Sequence, residues 1–85
     1  MSISFKPSQV FALIEAKGLC IYGHSDVFSG PVHTQAIVVA RALGRFEREF
    51  DAYALKQGSL SAVREYHRLL VDEVNLYISL RRKED

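Results

Sequence analysis

Apolar residues in the second half of the chain recur with a helical period. After Gly30-Pro31, the residues Val32, Ala36, Val39, Leu43, Phe46, Phe50 and Tyr53 follow one another at alternating spacings of four and three, which places a packing seam on one helical face. Glycine can cap a helix and proline suits its first position, so the pattern predicts a long helix from Gly30-Pro31 to Gln57-Gly58, with Gly58 just past its end. Gly44 lies inside the seam, where glycine costs about 1 kcal/mol against alanine, and so suggests a close helix crossing. Ser59 or Ser61 is then the expected cap of a further helix running to about Arg82. The short joint between the two implies an antiparallel pair. Arg81, Arg82 and Lys83 stand at the far end, where positive charge complements the helix dipole.

The first third of the chain is less regular. Pro7 fits the first turn of a helix, Phe5 and Val10 have the spacing of a hydrophobic staple, and Val10, Phe11, Leu13 and Ile14 supply an apolar face up to Lys17. This predicts a short helix over residues 7–17, with Gly18 as a left-handed terminator. Leu19-Cys20-Ile21-Tyr22, between Gly18 and Gly23, is too short an apolar run to assign by period. Ser2-Ile3-Ser4-Phe5 alternates as a strand does, so an α+β fold with a small two-stranded N-terminal element is the alternative. The expected fold is a single all-α domain over residues 1–85, three helices dominated by a long antiparallel hairpin.

The last helix carries more apolar surface than one seam requires. At 100° per residue, the rows Val63-Leu70-Tyr77, Ala62-Leu69-Leu76 and Val71-Ile78, filled in by Tyr66, Val74 and Leu80, span roughly 200° of its circumference, against the ~100° stripe of an ordinary amphipathic helix. Only Glu73 interrupts the arc. Either the first helix covers the excess or a second chain does, and the short first helix favours a second chain. Leu69, Leu76, Leu80, Tyr66 and Tyr77 are the expected self-association residues.

Composition limits the other readings. The 85 residues form one small domain, with 48% hydrophobic and 25% charged positions, the balance of a globular chain rather than a disordered one. Eleven Lys plus Arg against ten Asp plus Glu leave a net charge of +1, too little for a broad field that gathers polyanions. A nucleic-acid surface would have to be local, and Arg41, Arg45 and Arg48 on the second helix with Arg64, Arg68 and Arg82 on the third are its candidates. Glu49, Glu65 and Asp72 are interspersed among them, as on a solvated face. The single cysteine, Cys20, excludes an internal disulfide. Met1–Lys6 lacks the basic and apolar regions of a secretion signal and no apolar run is long enough to span a bilayer, so a cytoplasmic location without membrane attachment is expected.

Candidate chemistry is sparse. His24, Ser25 and Asp26 have the residue types of a hydrolytic triad, but consecutive side chains seldom converge as a triad must, and a local turn or cap is the simpler reading. Cys20, His24, Asp26 and His33 match no established zinc spacing. Glu47, Glu49 and Asp51 read as a solvated acidic cluster rather than a paired-carboxylate site. Neither a phosphate loop nor a dinucleotide or zinc-protease motif occurs. The sequence therefore leads to an expectation of a non-catalytic regulatory or inhibitor-type protein, without cofactor or metal, that binds a protein partner and forms a homodimer. A nucleic-acid-binding regulator using the arginine face is the alternative.

Overall fold

A computed structural model describes residues 3–22 and 30–84, apart from the side chains of residues 20–22 and 84. Three helices follow in order: α1 (Pro7–Tyr22), α2 (Gly30–Ala54) and α3 (Leu60–Glu84). At about 1.5 Å per residue, helices of 25 residues account for most of the 42 Å length of the molecule. The chain is all-α. Ile3–Lys6 has no regular structure and Leu19–Tyr22 is helical, so the two-stranded alternative is not what the described residues form.

Three local devices set the helix ends. At the start of α1, the Lys6 carbonyl accepts from the Gln9 and Val10 amides, while the Gln9 side chain reaches back to accept from the Lys6 amide at 2.9 Å. This is the return half of a capping box, and Pro7 supplies the first helical position. At the end of α2, the Gln57 amide donates to Ala52 O and the Lys56 amide to Tyr53 O, the bond pair of a Schellman ending. The left-handed residue of that motif is Lys56, with φ 61°. At the start of α3, Ser59 Oγ accepts from the Ala62 amide at 3.1 Å, which selects Ser59 over Ser61 as the cap.

Several sequence expectations are corrected here. α1 does not stop at Lys17: it continues through Gly18 to Tyr22, since a single glycine weakens a helix without ending it when its neighbours are packed, as Ala16 and Leu19 are. The end of α2 comes at Ala54 with Lys56 in the turn, and Gly58 is not the terminating residue. Gly44 marks no close crossing, because a methyl group at that position would meet nothing within 4 Å.

The core runs along the middle of the bundle. Val32, Ala36, Val39 and Phe46 of α2 meet Val63, Leu70, Val74 and Tyr77 of α3, and Ala12, Leu13, Ala16 and Leu19 of α1 close the third side. Near the hairpin turn the α2 seam opens, leaving Phe50 and Tyr53 partly exposed. The order of pairings gives the topology: Ser4 meets His67, Gln9 meets Asn75 and Glu15 meets Arg81, so α1 runs parallel to α3 and antiparallel to α2.

Candidate interaction surface

Buried polar groups decide how α1 and α2 sit on α3. Gln9 Nε2 donates to Asn75 Oδ1 at 3.1 Å, and Gln35 Nε2 donates to both the carbonyl and the carboxylate of Glu73, at 2.9 and 3.1 Å. Glu73, the one interruption in the apolar arc, thus satisfies a glutamine buried between α2 and α3. Farther along, the Tyr77 hydroxyl donates to Glu15 Oε1 and Arg81 Nε donates to the same oxygen at 2.7 Å. Burial pushes the Glu15 carboxyl up, but the hydrogen bonds from Arg81 and Tyr77 and the Arg81 charge outweigh it and hold the group below its ordinary value. Burial and the neighbouring carboxylate push the Tyr77 phenol strongly up. Neither glutamine stands out in the sequence; Glu73 does, as a lone acid in an apolar arc.

These contacts put α1 against the Asn75 and Ile78 side of α3, with α2 on the Glu73 and Tyr66 side. Tyr77 lies between them and is 1% exposed. It is therefore corrected from the expected self-association set to the core, because α1 covers that flank. Leu80 and Tyr66 are partly buried and packed against the core, Tyr66 also accepting a 2.7 Å hydrogen bond from Arg45. Leu69 and Leu76 are different: they remain 41% and 47% exposed, on the flank of α3 turned away from α1.

A larger apolar surface lies on α1 itself. Ala12, Leu13, Ala16 and Leu19 face the bundle, whereas Val10, Phe11 and Ile14 point outward and are 41%, 72% and 65% exposed. Phe11 and Leu13 are two residues apart, about 200° around a helix, so one apolar run supplies two opposite faces. The sequence carried this signal, since α1 has apolar residues nearly all round, a composition that belongs to a covered helix. No family model, curated protein or solved structure matches this chain.

The six arginines do not share one face. Arg45 leaves α2 to lie over the Tyr66 ring, 5.1 Å from its centroid. Arg64 and Arg68 are each two residues from Tyr66, about 160° away around α3, on the side where Ser4 contacts His67. Arg68 is paired with Glu65 at 2.9 Å and reaches Asp72 at 4.0 Å. Arg41, Arg48 and Arg82 are exposed, the first two on the outer side of α2 and the last at the end of α3.

The remaining candidates give no catalytic grouping. His24, Ser25 and Asp26, and the Cys20 side chain, lie outside the described residues. Among the described residues no three metal-ligating side chains converge, and no helix is long and apolar enough to cross a membrane. Of the acidic cluster, Glu47 and Asp51 border a hollow beside Phe46, while Glu49 is about 160° from Glu47 around α2.

Proposed function

We propose that this protein is a small, non-catalytic helical regulator, of inhibitor or adaptor type, that acts by binding protein surfaces and pairs with a second copy of itself. The observation that carries the reading is the outward strip Val10, Phe11 and Ile14 on α1. Contiguous exposed aromatic and aliphatic side chains on a packed helix are what a protein partner covers. A two-fold crossing of two α1 helices would set Phe11 and Ile14 against their own counterparts, since an isologous interface uses one patch twice. Leu69 and Leu76 form a second, smaller face on the far flank of α3, free for a different partner.

The nucleic-acid alternative has less support, because Arg45 is engaged by Tyr66, Arg68 by two carboxylates, and the arginines are divided between opposite sides of the bundle.

Sedimentation equilibrium of three proteins tests the proposal: the wild type, the double variant Phe11→Glu, Ile14→Glu, and the double variant Leu69→Glu, Leu76→Glu. Burying an aromatic or aliphatic side chain contributes about 1.5 to 3 kcal/mol, so two charges from each subunit in a modest interface should raise the dissociation constant by at least about a hundredfold. The expected result is a wild-type dimer, a folded monomer for the α1 variant and an unchanged dimer for the α3 variant. A wild type monomeric at high concentration would refute self-association. A dimer lost only in the α3 variant would move the pairing to the face that the sequence favoured.

A further inference from the structure

The chain before α1 does more than lead into it. Phe5 packs edge-on against Phe46 at 5.8 Å between centroids and lies tilted against the His67 ring at 5.0 Å, while His67 Nε2 donates to the Ser4 carbonyl at 2.9 Å. Phe50, one turn beyond Phe46, has its ring centroid 6.0 Å away. Between this aromatic group and Ile3 lies an open hollow of about 240 Å³, with Glu47 and Asp51 completing its wall.

The chemistry of that wall is selective. Ile3 and three phenyl rings offer a hydrocarbon surface, and the acceptors in the wall are the Glu47 and Asp51 carboxylates, so a ligand that fits is apolar over most of its surface. Glu47 and Asp51 stand one turn apart on the same side of α2, both exposed, and neither lysine nor arginine lines the hollow. Two carboxylates beside an aromatic surface repel anions, give a neutral hydrocarbon nothing beyond contact, and attract a cation. A cation placed over a phenyl ring gains cation–π attraction, and aromatic surfaces are the usual recognition element for a quaternary ammonium, whose charge is spread over methyl groups. The volume is slightly below the ~300 Å³ lower range of drug-sized pockets, which suits a compact head group.

We propose that the Phe5–Phe46–Phe50 hollow binds a small quaternary ammonium compound, its methyl groups on the rings and its charge facing Glu47 and Asp51. None of these residues belongs to the outward strip of α1 or to the Leu69–Leu76 face, so this site stands or falls separately from self-association.

The test is a nuclear magnetic resonance titration of the full chain with choline chloride, with 3,3-dimethylbutan-1-ol, its uncharged isostere, and with sodium chloride at matched ionic strength. Choline should give saturable shifts at Phe5, Phe46 and Phe50, with an affinity at least about fivefold above that of the alcohol, the factor that ~1 kcal/mol of cation–π attraction supplies. Glu47→Gln with Asp51→Asn should remove about a fivefold share of the choline affinity and leave the alcohol unaffected. Phe50→Ala, at a partly exposed position, should weaken both ligands. Equal binding of choline and the alcohol, choline shifts no different from those of sodium chloride, or a carboxamide variant that binds choline like the wild type would each overturn the proposal.

Discussion

Replacing Tyr77 by phenylalanine removes one hydroxyl from the contact between α1 and α3 and leaves the ring's burial unchanged. That hydroxyl donates to Glu15 Oε1, and Arg81 donates to the same oxygen at 2.7 Å. A hydrogen bond to a charged group contributes about 1.5 to 3 kcal/mol. Here the carboxylate keeps Arg81, and the Glu15 side chain is 41% exposed, so solvent can replace the lost donor. The expected destabilisation is thus reduced to about 1 to 2 kcal/mol. Urea unfolding followed by far-ultraviolet circular dichroism near neutral pH should show a lower midpoint with an unchanged slope.

The pH dependence makes this prediction sharper. Glu15 has a folded-state pKa below its ordinary value, so the unfolded chain binds the proton more readily. Its contribution to stability is complete above the ordinary carboxylate range, about pH 4 to 5, and disappears as pH falls through the folded value. Tyr77 has a raised folded-state pKa. Its contribution is complete below the ordinary phenol value, about pH 10, and disappears as pH rises toward the folded one. The stability difference between wild type and Tyr77→Phe should therefore be largest between these limits and shrink on both sides. An unchanged midpoint near neutrality, or a difference that stays constant into acid and into alkali, would refute the assignment of this hydrogen bond.

Two further substitutions follow from the backbone, and both should stabilise. Lys56 adopts φ 61° at the end of α2, a conformation that costs an ordinary side chain about 1 kcal/mol, so Lys56→Gly should raise the thermal midpoint by several degrees, about 4 to 8 °C per kcal/mol in a chain this size. Calorimetry showing no gain would mean that the turn adopts another conformation. Gly44→Ala should add up to about 1 kcal/mol, since a methyl group there meets nothing within 4 Å, whereas Gly58→Ala should not stabilise, because its methyl would lie 3.1 Å from Ala52 Cβ and 3.3 Å from the Tyr53 amide nitrogen. Urea midpoints for the two alanine variants that move together would contradict this distinction.

The long helices were legible in the sequence because period and punctuation agreed: Val32, Ala36, Val39 and Phe46 at helical spacing, Pro31 at one end, Ser59 ahead of the next run. The turn between α2 and α3 was less so. Gly58 drew the helix ending to itself, yet the left-handed position fell to Lys56, which nothing in local propensity marks. Gly18 misled in the opposite sense, since tertiary packing of Ala16 and Leu19 holds α1 helical through it. The sequence shows the apolar width of α3, but it does not say which helix lies on which flank. That depends on long-range contacts such as Gln9 with Asn75 and Gln35 with Glu73, whose members are separated by most of the chain or by an entire hairpin.

Those same contacts bear on what the outward strip of α1 can do. α1 is attached to α3 near its start by Gln9 with Asn75 and near its middle by Glu15 with Tyr77 and Arg81, and its Ala12, Leu13, Ala16 and Leu19 are buried. A helix fixed by polar contacts at two levels and by apolar packing between them has a defined rotation about its own axis. Phe11 and Ile14 consequently stand at fixed places on the surface. Ordering a backbone residue costs about 1 to 2 kcal/mol, a cost already met when the helix is in place, which leaves a partner only the side-chain share of about 0.5 to 1.5 kcal/mol for each immobilised rotamer-rich group. Rotating α1 to hide Phe11 would expose Leu13 in its stead, because the two lie on opposite faces. Among the described residues, the arrangement that buries Leu13 leaves Phe11 72% exposed.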